Sequence, residues 1–249
     1  MFINRLLKII LLLLGAVYIV VQTLEQDMYG LGVSSVMLLL LIVLYFRKTN
    51  QTRRYFLGFL ALYALSEISG FLSYYFPLED DTLTLLYYGG NLLYISAYVL
   101  LIYHIISKLN FKTIISKFSV SLLILLVLSI FAVTLVTDAA GGSLDTYQYI
   151  LEFTYNAVIM ILLSVGLINY MYRNDTKAML ILIGTIFIFF SEVIQLADYY
   201  ISESSYLSAS YSIFLFIAFV CLYLQSQKAY VGPIAEYVDE DYIEEKAKA

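Results

Sequence analysis

The sequence contains no tryptophan and only one cysteine, one histidine and two prolines in its 249 residues. The single cysteine, Cys221, excludes an intrachain disulfide. With one cysteine and one histidine there is no zinc site of the usual Cys/His type, so a metal would need carboxylate ligands alone. Neither a nucleophile elbow nor a phosphate-binding glycine loop is present. We therefore expect no metal and no organic cofactor.

Charged residues are also scarce. They make up 13% of the chain, whereas 62% of the residues are hydrophobic and the mean hydropathy is +0.86. This composition is typical of an integral membrane protein. The basic residues are spread over several loops instead of forming a patch, so the sequence offers no surface for nucleic acid.

Eight apolar stretches are long enough to cross a hydrocarbon core of about 30 Å as helices. Strand-like alternation is absent, so helices must satisfy the backbone within the membrane. Both prolines, Pro77 and Pro233, lie outside the stretches, which favours unbroken helices. The predicted fold is an all-α, polytopic membrane helical bundle with eight transmembrane helices. We place them at Leu6–Val21, Gly30–Phe46, Tyr55–Phe76, Leu85–Ile106, Phe118–Val136, Tyr149–Tyr170, Ala178–Tyr200 and Ser208–Leu224.

The basic residues are sorted to one side of this predicted bundle. All 14 lysines and arginines fall before the first stretch, in every second loop after it, or beyond the eighth stretch. The alternate loops carry only acids, among them Glu25, Glu79 and Glu203. Because basic loops stay in the cytoplasm, we expect both termini inside. We expect the membrane to be the bacterial inner membrane.

Two segments of the chain are near-copies of each other. The run Ser66–Phe76 matches Ser191–Ile201, and a polar tetrapeptide precedes each copy, at Asn50–Arg53 and Asn174–Lys177. We infer a duplication of four spans, in which both halves enter from the cytoplasm and form parallel repeats. The predicted units are a first four-helix repeat at 1–113, a second at 114–227 and an acidic cytoplasmic tail at 228–249.

Each copy carries one glutamate inside its apolar stretch, Glu67 in the first and Glu192 in the second. A charged side chain at the bilayer centre costs roughly 2.5–3.5 kcal/mol on insertion scales, so such acids point to a functional site. The alternative is that they join helices by hydrogen bonds, at roughly 0.6–2 kcal/mol per contact.

Other polar residues are predicted at a similar depth, in the half of the bundle opposite the basic loops. Residues three and seven positions apart share a helix face, which groups Glu67 with Tyr74 and Glu192 with Tyr199. If these faces converge, they enclose a polar cavity with two or three carboxyls, the third being Glu152 unless it faces the headgroups. The other candidates in this layer are Asn91, Tyr94, Tyr155, Asn156 and Gln195.

These features resemble the YhhN-like lysoplasmalogenase family, in which eight spans have both ends inside and carry acids in the third and seventh. Ser66-Glu67 and Ser191-Glu192 fall where the family has Gly-Asp and Ser-Asp. Asn91-Leu92-Leu93-Tyr94 resembles its His-Leu-x-Tyr element, and Tyr155–Met160 is similar to a Tyr-rich, Met-containing family segment. This chain thus has glutamate for both aspartates and asparagine for the histidine, and asparagine does not shuttle protons.

The resemblance implies a hydrolase that cleaves the vinyl ether of a membrane lysolipid, giving a fatty aldehyde and a glycerophospho-base. That reaction needs a proton on carbon and then water, and two carboxyls suit it as they suit glycoside hydrolysis. On this hypothesis Glu67 and Glu192 are catalytic. The residues that would bind substrate are Asn91, Tyr94, Tyr74, Tyr199, Gln195, Tyr155 and Asn156.

Two other functions stay open. One is a non-catalytic membrane subunit or lipid-binding protein of a larger complex, with the acidic tail as a docking surface for a protein partner. The other is a proton or cation relay through the paired acids. A relay needs a polar path to the cytoplasm, yet the inner halves of spans three and seven, Phe56–Leu60 and Met179–Phe190, are nearly apolar.

Overall fold

The computed structural model describes residues 2–48, 54–75, 80–229 and 232–234. In this part of the chain the secondary structure is helical. The helices are α1 (Phe2–Thr23), α2 (Asp27–Lys48), α3 (Arg54–Ser73), α4 (Asp80–Ile106), α5 (Phe111–Lys117), α6 (Ser119–Ala140), α7 (Thr146–Arg173), α8 (Thr176–Tyr200) and α9 (Ser205–Ser226), with a 3-10 turn at Gly141–Ser143.

All of these helices except α5 are long and apolar enough to cross a membrane, which gives eight spans in the described residues. The prediction of an all-α, polytopic membrane helical bundle is confirmed. Its orientation in the membrane stays a prediction. The tetrapeptide at 50–53, Phe76, Pro77 and the tail from 235 onward lie outside the described residues.

The helix ends differ from the predicted ones where polar side chains set them. α7 begins at Thr146, ahead of the predicted Tyr149, because Asp145 and Gln148 form a capping box that satisfies the first backbone N–H groups. The sequence reading missed α5 altogether. Its N-cap is Asn110, whose side chain accepts hydrogen bonds from the backbone of Lys112 and Thr113.

We name the two ends of the bundle by their loops. The acidic-loop end comprises residues 24–26, 74–75, 141–145 and 201–204, and the basic-loop end is the opposite one. At the basic-loop end the interior is a continuous apolar core, which includes Leu41, Phe56, Leu60, Leu101 and Leu222, each at most 2% exposed. The bundle is therefore tightly packed at this end.

Two basic side chains at this end are buried instead of extended along the lipid surface. Lys177 is 3% exposed, and its Nζ donates to the backbone oxygens of Gln225, at 2.9 Å, and Lys228, at 3.0 Å. Arg173 is 7% exposed and donates to the backbone oxygen of Lys108. Carbonyls at and just beyond helix C-termini lack intrahelical donors, so both cations bond to backbone oxygens of this kind, at the ends of α4 and α9.

The two copies of the repeated motif pack in matching ways. Ser66 on α3 donates to the backbone oxygen of Gly90 on α4 at 3.0 Å, and Ser191 on α8 donates to that of Tyr211 on α9 at 2.8 Å. Each serine thus ties its helix to the next spanning helix along the chain. Contacts between the halves are less symmetric. α4 packs against α7 of the second half, whereas the helix of the first half that α9 contacts most is α1 and not α2. The predicted repeat boundaries stay a prediction.

Candidate functional site

A cavity of about 540 Å³ lies between the helices in the half of the bundle nearer the acidic-loop end. Seven helices line it, namely α1, α2, α3, α4, α7, α8 and α9. All nine residues singled out from the sequence are among its lining residues: Glu67, Glu192, Asn91, Tyr94, Tyr74, Tyr199, Gln195, Tyr155 and Asn156. The structure therefore brings the predicted polar layer together around one space.

Glu67 is held by hydroxyl groups from the two helices on either side of α3. It is 6% exposed. Its Oε2 accepts a hydrogen bond from Ser34 on α2, and its Oε1 accepts one from the Tyr94 hydroxyl on α4 at 2.9 Å. Hydroxyl donors satisfy a buried carboxylate whose removal from water would otherwise be costly.

Glu192 has an equivalent environment on the other side of the cavity. It is 7% exposed. Its Oε1 accepts a hydrogen bond from the Tyr98 hydroxyl, and its Oε2 accepts one from the Tyr155 hydroxyl on α7 at 2.8 Å. In both copies one donor comes from the spanning helix that precedes the glutamate, Ser34 on α2 and Tyr155 on α7.

The second donor of both glutamates comes from α4. Tyr94 and Tyr98 lie four residues apart, so they share one face of the helix. Tyr94 reaches Glu67 in the first half and Tyr98 reaches Glu192 in the second. Tyr63 packs edge-on against both rings, with centroid distances of 4.8 and 5.9 Å. A single helix therefore fixes both carboxyls relative to each other.

Glu152 on α7 is a third carboxyl of the same cavity. It is 8% exposed, and its Oε1 accepts hydrogen bonds from the hydroxyls of Tyr87 and Tyr200, each at 3.3 Å. The sequence left open whether Glu152 lines the cavity or faces the headgroups, and in the structure it lines the cavity. Each of the three buried acids in the cavity is thus held by two hydroxyl groups.

Some predicted residues make contacts that are mainly structural. Asn91 donates to the backbone oxygen of Tyr87 on its own helix at 2.9 Å. Asn156 donates to the Thr137 hydroxyl of α6 at 3.1 Å.

Tyr74 and Tyr199 are 53% and 63% exposed, so they form the mouth of the cavity at the acidic-loop end.

The sequence reading missed the wall contributed by α1 and α2. Tyr18, Gln22 and Asp27 line the cavity, and Ser34 bonds to Glu67. The available signal was an amide directly after the first apolar stretch and a pair of serines within the second. Those residues belong to no repeated motif, so the comparison of the two copies gives no prediction for them.

The described residues that line the cavity make it acidic. Its lining contains four carboxylic acids and eight tyrosines, and no lysine or arginine is among the described lining residues. No group of three or more His, Cys, Asp and Glu residues among those described could hold a metal ion. The arrangement favours ligands with a positive charge or hydrogen-bond donors over anions.

Between the carboxyls and the basic-loop end, the apolar core closes the bundle. The rings of Phe59 and Phe219 stack with their centroids 5.9 Å apart. The Phe56 ring lies between this pair and His104, and the centroids of Phe56 and His104 are 5.7 Å apart. Phe59 is 0% exposed. In the described residues, therefore, aromatic and aliphatic side chains fill the space where a proton relay would need a polar path.

No protein-family model matches this chain, and no curated protein or solved structure is similar enough to match it. The resemblance to the YhhN-like family stays a prediction from short motifs.

Proposed function

We propose that the protein is a divergent intramembrane lipid hydrolase, similar to lysoplasmalogenases, that cleaves a vinyl ether or similar bond of a lysolipid with Glu67 and Glu192. One observation carries the proposal. The acids of the two repeated motifs line the same cavity, and each is held at both oxygens by hydroxyl groups from other helices. Such preorganisation of a carboxyl pair is what acid-catalysed cleavage needs.

The cavity has a size suited to part of a lipid. Its volume of about 540 Å³ lies within the range of roughly 300–1,000 Å³ that is common for small-molecule sites. Its mouth lies among exposed tyrosines at the acidic-loop end, at the level where a lipid headgroup meets the membrane. A single-chain lipid in that leaflet would carry its glycerol-linked bond toward the carboxyls.

The reaction follows from two carboxyls in different protonation states. The protonated acid delivers its proton to the vinyl carbon that is not bonded to oxygen, which leaves an oxocarbenium-like cation on the adjacent carbon. The second, ionised carboxylate stabilises this cation and takes a proton from the water that adds to it. In the resulting hemiacetal the second carboxyl returns its proton to the glycerol oxygen as that C–O bond breaks, and the first carboxylate takes the hydroxyl proton, giving a fatty aldehyde and a free alcohol and restoring both carboxyls to their starting states. The tyrosine hydroxyls hold the carboxyls in place.

A non-catalytic lipid-binding role is the second candidate, and one observation favours it. All four oxygens of Glu67 and Glu192 already accept a hydrogen bond within the protein. The pair is therefore satisfied without a substrate, as expected for acids that join helices.

The test is to incubate the purified protein with an alkenyl-lysophospholipid and measure fatty aldehyde by mass spectrometry. The acyl and alkyl-ether analogues serve as substrates that cannot react in this way. We expect aldehyde from the alkenyl lipid alone, and a loss of about 100-fold or more in Glu67→Gln and in Glu192→Gln.

Glu203→Gln is the matched control, because Glu203 is an exposed acid at the same end of the bundle and does not line the cavity. It should retain the wild-type rate. Folded wild-type protein that binds the lipid and releases no aldehyde would contradict the proposal and favour the binding role.

A further inference from the structure

The described start of the tail leaves the bundle along a path that two contacts define. Lys177 on α8 donates to the backbone oxygen of Lys228 at 3.0 Å, two residues after α9 ends. Six residues later, the backbone N–H of Ile234 donates to the backbone oxygen of Tyr172 at 3.2 Å. Tyr172 lies in the last turn of α7, where carbonyls lack intrahelical donors. The chain therefore crosses from the end of α9 to the end of α7.

The end of α7 is packed against the short helix α5. Tyr172 belongs to a buried apolar cluster with Ile114 of α5 and with Phe118, which directly follows α5. The backbone of Ile234 is bonded to this same Tyr172. The described residues of the tail therefore lead to the side of the bundle on which α5 lies.

α5 has an exposed side that combines bases with apolar side chains. Phe111 and Ile115 lie one turn apart and are 55% and 62% exposed. Lys112 and Lys117 of the same helix are exposed, and so is Lys108 shortly before it. We call these five residues the α5 surface. A partner that fits it carries acids next to apolar side chains.

The tail has that pattern, beginning two residues after Ile234. Its sequence from 236 to 245 contains six acids around two apolar pairs, Tyr237-Val238 and Tyr242-Ile243. The other acid in the sequence on the basic-loop side is Asp175, whose side chain caps α8 by accepting from a backbone N–H. The tail therefore carries most of the negative charge of this side.

The length of the tail suits a contact with α5. A chain extends by at most about 3.5 Å per residue, so the stretch from 236 to 245 spans up to about 35 Å, whereas the seven residues of α5 are about 10 Å long. Because the tail is tethered beside α5, docking is intramolecular and takes place at an effective concentration of about millimolar magnitude. Exposed ion pairs are weak one by one, and the tether compensates for this weakness.

We propose that the tail docks on the α5 surface of its own chain, with its acids on the three lysines and its apolar pairs on Phe111 and Ile115. The proposal does not depend on the hydrolase function. A docked tail covers α5 and its own acids together, so a protein partner that binds the tail must first displace it.

The experiment measures the distance between two nitroxide labels by double electron–electron resonance. The full chain with Cys221→Ala carries one label at Ser116→Cys, an exposed position on α5, and the other at Ala247→Cys, beyond the last acid of the tail. The protein is reconstituted at one copy per nanodisc in phosphatidylcholine, which offers α5 no anionic lipid.

We expect a narrow distance distribution at low salt and a broad one at about 1 M salt, where charges are screened beyond about 3 Å. Lys112→Gln combined with Lys117→Gln should lower the ratio of the narrow to the broad population about tenfold, through the loss of two exposed ion pairs. Arg5→Gln combined with Arg47→Gln is the matched control, because it removes two exposed bases from α1 and α2. It should leave the distribution unchanged.

A broad distribution at every salt concentration would overturn the proposal. A narrow distribution that survives the loss of both lysines, or that the two double variants lose equally, would also overturn it, because the tail would then be held by other groups. A broad distribution together with weaker binding of phosphatidylglycerol by the lysine variant, measured by native mass spectrometry, would overturn it and identify α5 as a lipid-binding surface.

Discussion

The two motif glutamates illustrate what a sequence reveals at the scale of single residues. Their presence in matching, apolar segments was enough to identify them and to place Tyr94 and Tyr155 near them. The bonding partners were less accessible, because Ser34 belongs to no repeat and Tyr98 bonds to the acid of the other half of the chain. Which donor meets which acid depends on how α4 packs, which a single sequence does not specify.

Loss of the Tyr98 hydroxyl tests whether these bonds stabilise the bundle. Tyr98 is 1% exposed, and Tyr98→Phe leaves Oε1 of the buried Glu192 without its protein donor. We expect the free energy of unfolding to fall by about 1–3 kcal/mol. Unfolding in detergent, followed by circular dichroism against increasing denaturant, measures the change.

Tyr206→Phe is the control for that variant, because Tyr206 is 87% exposed. Its stability should equal that of the wild type. If Tyr98→Phe unfolded at the same denaturant concentration as this control, the Tyr98 hydroxyl would contribute nothing to the stability of the bundle.

At the scale of helices, the spans were predictable because their apolar length is a property of the sequence alone. Helix ends were less predictable. Asp145 and Asn110 define the starts of α7 and α5 as N-caps, and a side chain caps a helix only when the backbone around it has adopted the capping conformation. Close approaches between helices were not predictable at all. Gly166 on α7 faces Thr185 on α8, which is 1% exposed, and this contact sets how near the two helices come.

A methyl group at this contact should separate α7 from α8. A Cβ on residue 166 would lie 2.5 Å from Oγ1 of Thr185 and 3.3 Å from its Cβ. Because the threonine is branched and buried, it has little room to move. We expect Gly166→Ala to lower the free energy of unfolding by about 1–3 kcal/mol.

Gly89→Ala on α4 is the matched helix variant, since nothing lies within 4 Å of a Cβ there. It should be neutral or stabilise the protein by up to about 1 kcal/mol, because alanine restricts the unfolded chain. If Gly166→Ala were as stable as Gly89→Ala, the approach of α7 to α8 would not be as close as described.

The whole molecule combines a tightly packed apolar half with a half that encloses an acidic cavity. The apolar half explains why composition alone identified a membrane bundle. The cavity required faces of seven helices to converge, and periodicity predicted the faces but not all of the helices that contribute. α1 and α2 were predicted as spans, but their contribution to the cavity was not, because their polar residues are few and unrepeated.

The sorting of charges predicts that the cavity opens on the side of the membrane away from the cytoplasm. With Cys221 replaced by alanine, a single cysteine is placed by Ser202→Cys at the acidic-loop end or by Lys112→Cys at the basic-loop end, both exposed positions. We expect a membrane-impermeant maleimide to label the first in intact cells and the second only after lysis. The reverse pattern would invert the topology.

The proposed reaction requires that one of Glu67 and Glu192 transfers a proton to carbon within this cavity while the other stabilises the resulting cation. The most direct measurement is the mass of the fatty aldehyde formed from an alkenyl-lysophospholipid in D₂O, trapped at once as its hydrazone. The account predicts one deuterium on the carbon next to the aldehyde for the wild type and no aldehyde above background for Glu67→Gln and Glu192→Gln. Aldehyde without that deuterium, or equal aldehyde from the variants, would contradict it.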